Sequence, residues 1–237
     1  MGISESVQVE ARLQTLWNLV DDCDECKQDQ NVLQHIHGGG QENNPKVMFV
    51  FINPTHRNIS SRPEYSGPRI PFLGTREIWK VFVDAGLLDP TVIERIRNGW
   101  DRNIIDTVIC TIRNAGFYLT NIVKCTQPDA RLPTKKTIKK KQDIFLKELE
   151  AVNPKLVVAF GTLPFEALSG TKLKLNDHYE KQMKSDKLIT YPTIPVSGKS
   201  YNMYPCYFPV GRGDRKRAVE LLQVLRRNCG LDDNQSL

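Results

Sequence analysis

An apolar run that stops abruptly at a polar tetrapeptide constrains this sequence more than any other feature. Residues Val47 to Ile52 are all apolar, which predicts a strand buried on both faces. Asn53 and Pro54 follow directly, and Pro54 ends the strand because it has no N–H to donate to a sheet. The side chains of Asn53 and His56 are thus predicted to lie at the carboxyl end of a strand. In open α/β sheets this is the edge where ligands bind.

Apolar runs and helical patterns alternate along the rest of the chain. The spacing of apolar residues predicts helices over 9–20, 77–85, 142–152, 163–168 and 219–227, and further strands over 117–124 and 156–160. Residues 53–75 and 171–200 are interpreted as loops, the second with short strands. Strands that alternate with helices predict a mostly parallel sheet covered on both sides.

Charge and cysteine usage narrow the class of protein. The chain has 237 residues and a net charge of +6, with basic clusters at 135–141 and 212–217. Each cluster is either a solvated helix face or a surface for a polyanion. The sequence shows neither a membrane-spanning run nor a signal-peptide pattern, so we expect an intracellular, cytoplasmic protein with no membrane partner. Six cysteines then indicate thiols or metal ligands rather than disulfides.

Four segments carry a resemblance to a known family. Residues 51–55, Phe-Ile-Asn-Pro-Thr, are similar to the Gly-Ile-Asn-Pro-Gly of mismatch-specific and thymine-DNA glycosylases, but lack both glycines. Residues 69–74 (Arg-Ile-Pro-Phe-Leu-Gly), 118–125 (Tyr-Leu-Thr-Asn-Ile-Val-Lys-Cys) and 154–161 (Pro-Lys-Leu-Val-Val-Ala-Phe-Gly) resemble motifs of the iron–sulfur group, family 4, of the uracil-DNA glycosylases. Together they resemble the uracil-DNA glycosylase superfamily.

That resemblance sharpens the predicted fold. It implies a three-layer α/β/α sandwich with a central, mostly parallel four-stranded sheet. Residues 1–237 are assigned to a single domain, with an N-terminal helix in 1–22 and an inserted segment in 89–116.

The resemblance also assigns the base-binding residues. A glycosylase extrudes one base from DNA into a pocket, and the unstacking costs a few kcal/mol. Phe72 is predicted to stack on the base, and the amide of Asn121 to pair with its edge. The alternatives are a buried loop anchor for Phe72 and a turn-capping role for Asn121. Phe51 replaces a motif glycine and Phe208 replaces the histidine that stabilises the leaving base, so both are placed in the base pocket.

The catalytic assignment rests on Asn53 and His56. Asn53 occupies the position of the water-orienting residue, and His56 is predicted to contact the water or a phosphate, or else to be an exposed loop residue. An amide orients water but supplies no negative charge to the developing sugar cation, which predicts slow chemistry. Because Phe208 cannot donate a hydrogen bond, Tyr207 or Arg212 is considered as the donor to the leaving base.

Two further sets of residues complete the predicted sites. The predicted DNA contacts are Arg212, Arg215 and Lys216. By resemblance, Cys23, Cys26 and Cys125 fill three of the four ligand positions of a [4Fe–4S] cluster, and the fourth falls near Lys141. The candidate ligands are Cys23, Cys26, Cys125 and Cys110, with His35 or His37 as alternatives that would complete a zinc site. A third interpretation is that the cluster is lost; no nucleotide cofactor is expected.

Three functions remain open from the sequence. The leading one is a monomeric DNA glycosylase of base excision repair, whose partner is DNA with a damaged or mismatched base, most of all uracil. The second is a catalytically degenerate DNA-binding or damage-sensing protein on the same fold. The third is a metal-dependent enzyme acting on a nucleotide, which requires His35, His37, Cys23 and Cys26 to converge.

Overall fold

A six-stranded sheet organises the part of the chain that the computed structural model describes, which is residues 5–23, 33–129, 131–211 and 213–231. The strand order is β1-β3-β2-β4-β6-β5. The strands are β1 Gly39–Gly40, β2 Val47–Phe51, β3 Phe117–Asn121, β4 Val157–Phe160, β5 Tyr191–Pro192 and β6 Asn202–Cys206. The four longer strands are mutually parallel, which confirms the predicted α/β class and central parallel sheet. The short strands β1 and β5 extend it antiparallel at the edges.

Helices cover both faces of this sheet. They are α1 Glu5–Asp21, α2 Glu77–Asp84, α3 Thr91–Ile96, α4 Arg102–Asn114, α5 Lys135–Val152, α6 Thr162–Ser169, α7 Leu175–Met183 and α8 Arg215–Asn228. Helices α1, α5 and α6 pack in one apolar cluster, and α2, α3, α4 and α8 pack in the other. In β2, Phe49 and Phe51 face the second cluster while Met48 and Val50 face the first. Successive side chains of β2 point to opposite faces, and helices cover both faces. Every residue of this strand is therefore apolar.

Three segments differ from the sequence prediction. Helix α5 begins at Lys135 rather than at residue 142, because the Thr134 hydroxyl accepts a hydrogen bond from Thr137 N and caps the lysine-rich turns. Helix α7 lies in a segment predicted to be loop. Its buried residues, His178 and Gln182, are polar, so the apolar spacing typical of a helix is absent. Strand β6 contains Pro205 and was not recognised from its sequence.

The strand order places a topological switch point at β2. The chain passes from β2 to β3 on one side of the sheet, and later enters β4 on the other side of β2. Ligands in such sheets bind outside the carboxyl ends of the strands at this switch point. The carboxyl ends of β2 and β3 therefore bring Asn53 and Asn121 to the same edge, and β4 ends there at Phe160.

Candidate active site

Asn121 is a buried amide without a hydrogen-bond partner. It is the last residue of β3, it pairs in register with Phe51 of β2, and its side chain is 1% exposed. Neither Nδ2 nor Oδ1 of Asn121 makes a hydrogen bond within the described part of the chain. An unsatisfied buried polar group costs about 1–3 kcal/mol. A ligand with one donor and one acceptor would recover that cost, because an amide offers one of each.

Asn53 lies at the adjacent strand end and is half-buried. Its Nδ2 donates to the carbonyl oxygens of Pro54, at 3.2 Å, and Arg131, at 3.4 Å. These bonds use the amide's donor side and hold the side chain against the loop that precedes α5. The carbonyl Oδ1 remains the group with which Asn53 can accept a hydrogen bond from a water molecule.

Phe72 is held in a backbone conformation that is rare for a residue with a side chain. Its φ angle is +69°, and such strain of about 1–3 kcal/mol persists only where the surroundings enforce it. The side chain of Asn58 accepts a hydrogen bond from Phe72 N. The Phe72 carbonyl accepts from Trp79 Nε1 at 3.2 Å and from the Thr75 hydroxyl at 2.9 Å. The loop therefore presents one aromatic ring in a fixed position, a pattern typical of binding sites.

An aromatic cluster surrounds Phe51, the residue of β2 that pairs in register with Asn121. The ring of Phe51 stacks on Phe160, with ring centres 4.6 Å apart and planes 7° apart. Phe72 meets the same ring edge to face at 4.6 Å, and Phe208 does so at 6.4 Å. Phe51 itself is 1% exposed. The residue that replaces the motif glycine is thus a large buried ring beside the candidate base-reading amide.

The other predicted site residues are more dispersed. His56 is exposed, and its backbone N donates to the Gln127 carbonyl at 3.0 Å. Arg215 pairs with Asp84 at 2.5 Å, and Lys216 is exposed at the start of α8. Arg212 lies outside the described residues.

Tyr207 has a defined hydroxyl environment. Its hydroxyl oxygen accepts a hydrogen bond from Arg217 at 3.1 Å, and the guanidinium of Arg217 also lies 4.9 Å from the ring centre of Tyr179. The hydroxyl proton of Tyr207 is left to another acceptor. Of the two donors considered for a leaving base, Tyr207 is therefore the one whose position is described.

The family model described as the uracil DNA glycosylase superfamily matches residues 37–223, which is most of the chain. This chain belongs to the uracil-DNA glycosylase superfamily. It is also 36% identical, over 50 residues, to a type-4 uracil-DNA glycosylase of Archaeoglobus fulgidus. That match covers 21% of this chain and 25% of the relative, so the aligned segment spans about a quarter of the relative's length. No helix among the described residues has the length and apolarity to cross a membrane.

The predicted iron ligands of this superfamily member are only partly brought together. Cys23 and Cys125 line one cavity of about 150 Å³ between α1, α5 and the end of β3. Cys110 does not join them, because it is exposed on α4, which packs on the opposite face of the sheet. Cys26 lies outside the described residues. Within the described ranges, no three His, Cys, Asp or Glu side chains converge to hold a metal.

A lysine stands where the fourth cluster ligand was expected. Lys141 Nζ donates to Cys23 Sγ at 2.8 Å, and Lys141 lines the same cavity. An ammonium group is a donor without a lone pair, so it cannot replace a thiolate ligand. Among the described residues, Cys23 and Cys125 with Lys141 beside them do not form a four-thiolate site.

Sequence reasoning missed a charged cluster at the end of α1. Asp21 accepts two hydrogen bonds from Arg69, and His37 Nε2 lies 3.2 Å from Asp21 Oδ1. Burial works against ionisation of Asp21, but the Arg69 and His37 contacts together lower its pKa. Burial, with the nearby Arg69 charge, lowers the pKa of His37 to about 4. His35 and His37 therefore lie beside the ion pair of Asp21 and Arg69. The positive charge of the guanidinium makes this position unsuited to a metal cation.

A second missed group is a buried ion pair beneath the same region. Lys124 contacts Glu148 and the Thr120 hydroxyl, and Tyr118 donates to Glu148 at 2.9 Å. Both charged side chains are at most 5% exposed. Burial lowers the pKa of Lys124, and Glu148 opposes that shift. The sequence contains one sign of this ion pair. Glu148 is a carboxylate on the apolar stripe of α5, between Phe145 and Leu149.

Proposed function

We propose that this chain is a DNA glycosylase of base excision repair that extrudes a deaminated or mismatched base, most of all uracil, and hydrolyses its N-glycosidic bond. The single observation that carries the proposal is the buried, unpartnered amide of Asn121 at the switch point of the sheet. A uracil edge presents a carbonyl acceptor next to an N–H donor, which matches the two unpaired groups of this side chain.

The neighbouring residues fit complementary roles. Phe72 offers a fixed ring for stacking, which contributes about 1–3 kcal/mol per base. Asn53 orients the attacking water through Oδ1, since its Nδ2 is held by Pro54 and Arg131. Because the amide is neutral and Phe208 cannot donate to the departing base, the reaction is slow relative to an enzyme with a carboxylate and an imidazole.

Release of an abasic site from defined duplexes tests this proposal. The protein is incubated with uracil, hypoxanthine, xanthine and thymine-mismatch duplexes, and strand breakage after alkali is measured. Wild type is expected to cleave at least one substrate, and Asn53→Ala and Asn121→Ala to lower its rate about 100-fold or more. Asn114→Ala, at an exposed amide of α4, serves as the control and keeps the rate. If none of these substrates yields an abasic product, the enzyme proposal is wrong.

One observation favours a second candidate, a DNA-binding or damage-sensing protein without base excision. The Phe51 ring packs against Phe160 and Phe72, and Phe51 pairs in register with Asn121, the amide expected to read the base. In this case an extruded base would meet a filled pocket. DNA binding would persist, and hydrolysis would be absent.

Truncation of Phe51 separates the two candidates. If the ring blocks the pocket, Phe51→Ala and Phe51→Gly gain base excision or base binding that wild type lacks. If the ring is part of a working pocket, both variants lose activity that wild type has. The control is Phe117→Ala, which removes a buried ring that lies on the same face of the sheet and contacts Phe49. Its loss of stability gives the general cost of a cavity, about 3–5 kcal/mol.

A further inference from the structure

The contact between Lys141 and Cys23 places an amine directly against a thiol. Lys141 Nζ lies 2.8 Å from Cys23 Sγ, and the two residues are 118 apart in the sequence. Cys23 follows the end of α1, and Lys141 lies in the second turn of α5. Both residues are partly buried, and the two helices pack in the same apolar cluster. The packing of α1 on α5 therefore holds the nitrogen and the sulfur together.

A small cavity gives access to this pair. It has a volume of about 150 Å³, and both Cys23 and Lys141 line it. The rest of its wall is mainly apolar and includes Leu19, Val20, Ile122 and Ile144. A cavity of about 10–15 Å³ already holds one water molecule. Dioxygen, which is small and apolar, therefore fits beside the sulfur and the nitrogen.

Two other reactive groups line the same cavity. One is the amine of Lys124, which contacts the Glu148 carboxylate and the Thr120 hydroxyl in the core. The other is the thiol of Cys125, which would form a disulfide if it reacted with Cys23. Lys141 is the amine that lies in hydrogen-bond contact with the Cys23 sulfur, so an oxidised Cys23 meets this nitrogen first.

The distance between the two atoms favours one kind of bond. Reacting atoms in a productive arrangement lie about 3–3.5 Å apart, and Nζ and Sγ are already at 2.8 Å. A direct bond between sulfur and nitrogen is much shorter than this distance and would require α1 and α5 to approach each other. A single oxygen atom between sulfur and nitrogen spans the observed distance while both helices keep their positions.

We propose that dioxygen joins Cys23 and Lys141 through one oxygen atom, Sγ–O–Nζ, which makes this pair a redox-sensitive cross-link between α1 and α5. The thiol S–H bond and one N–H bond of the neutral amine break, and the S–O and O–N bonds form. One oxygen atom enters the bridge, and the other leaves as water with the two hydrogen atoms. Sulfur and nitrogen together supply the four electrons that dioxygen takes up. The proposal does not depend on the proposed glycosylase activity.

Peptide mapping of the full chain by mass spectrometry tests the cross-link. Protein purified without oxygen is compared with the same protein after exposure to air-saturated buffer. Only the second sample is expected to contain the Cys23 peptide joined to the Lys141 peptide, with the mass of their sum plus one oxygen atom minus two hydrogen atoms. Cys23→Ser and Lys141→Arg should abolish the joined pair. Cys26→Ser and Lys139→Arg are the matched controls and should keep it.

The same spectra contain the results that would overturn the proposal. One is a Lys141 peptide that stays unmodified after oxidation, and another is a disulfide that joins Cys23 to Cys26 or Cys125 instead. A joined pair without the extra oxygen atom would rule out the oxygen bridge.

Thermal unfolding gives an independent measurement, because a cross-link between residues 118 apart restricts the unfolded chain. Oxidised wild type is expected to unfold roughly 10 °C above the dithiol-reduced protein. Lys141→Arg keeps the positive charge and should show no such difference. An equal rise in Tm for Lys141→Arg would contradict the cross-link.

Discussion

Lys141 donates a hydrogen bond from its ammonium nitrogen to the sulfur of Cys23, 2.8 Å away. Cys23 follows the end of α1 and Lys141 lies in the second turn of α5, so the contact links the two helices beside a cavity that Cys125 also lines. Two residues before Cys23, Asp21 binds Arg69 in the loop that presents Phe72. The lysine therefore joins α1 and α5 near the position at which the resemblance implies the fourth cluster ligand.

Replacement of Lys141 by cysteine is expected to create a complete set of cluster ligands. We expect wild type, purified without oxygen, to contain little iron, and Lys141→Cys to bind about four irons with a broad absorption band near 400 nm. Iron and acid-labile sulfide analysis measures this directly. Lys140→Cys, one residue away and exposed, is the control and stays iron-poor. Stoichiometric iron and sulfide in wild type would contradict the assignment of Lys141.

Acid should destabilise the fold between about pH 6.5 and pH 4. Burial lowers the pKa of both His37 and His178 to about 4, while an unfolded histidine titrates near 6.5. In that window the unfolded chain binds more protons than the folded one, so stability falls as the pH falls, by about 1.4 kcal/mol per pH unit for each histidine. Urea unfolding at pH 7.5, 6 and 5 measures the slope. His178→Gln should lower the slope, because one of the two buried histidines is then removed.

The buried pair of Lys124 and Glu148 gives a third prediction. Glu148→Gln leaves the Lys124 ammonium uncompensated in the core, and we expect a loss of about 3–5 kcal/mol in the free energy of unfolding. The double variant Lys124→Met/Glu148→Gln should recover much of it because no buried charge remains. Glu77→Gln, which breaks an exposed pair with Lys80, is the control and should cost under about 1 kcal/mol. Equal losses for the single and double variants would rule out an uncompensated charge as the cause.

Asn58 is predicted to position Phe72. Its Oδ1 accepts from Phe72 N and its Nδ2 donates to the Thr55 carbonyl at 2.8 Å, so it joins the stacking loop to the segment after β2. Asn58→Ala should cost about 1–3 kcal/mol in stability and release Phe72 from its left-handed conformation. Affinity for a uracil-containing duplex should then fall more than affinity for undamaged duplex. Asn98→Ala, at an exposed site, provides the baseline, and equal effects on both duplexes would contradict the positioning role.

The sequence by itself determined three of the four parallel strands, β2, β3 and β4, and the residues at their ends. A run such as Val47 to Phe51 is apolar on both faces only if helices cover both sides, so the parallel sheet followed from local pattern. Pro54 fixed where the strand ends, and therefore which edge carries Asn53. The start of α5 at Lys135 could not be recognised from the apolar pattern, because lysines do not contribute to that pattern. The cap at Thr134 determines where the helix begins.

Only the tertiary structure decided which polar groups have partners. The motif made Asn121 a candidate. Whether its amide has a hydrogen-bond partner depends on every group packed around it, and none of the described groups bonds to it. The Lys141 contact with Cys23 spans 118 residues of chain, and the Arg69 contact with Asp21 spans 48. Sequence periodicity reports which face of an element is buried, whereas partners distant in the chain are set by how the helices pack on the sheet. For that reason the pattern could place Asn53 and Asn121 at one edge of the sheet, and only the packing could show that the Phe51 ring lies against Phe160 and Phe72.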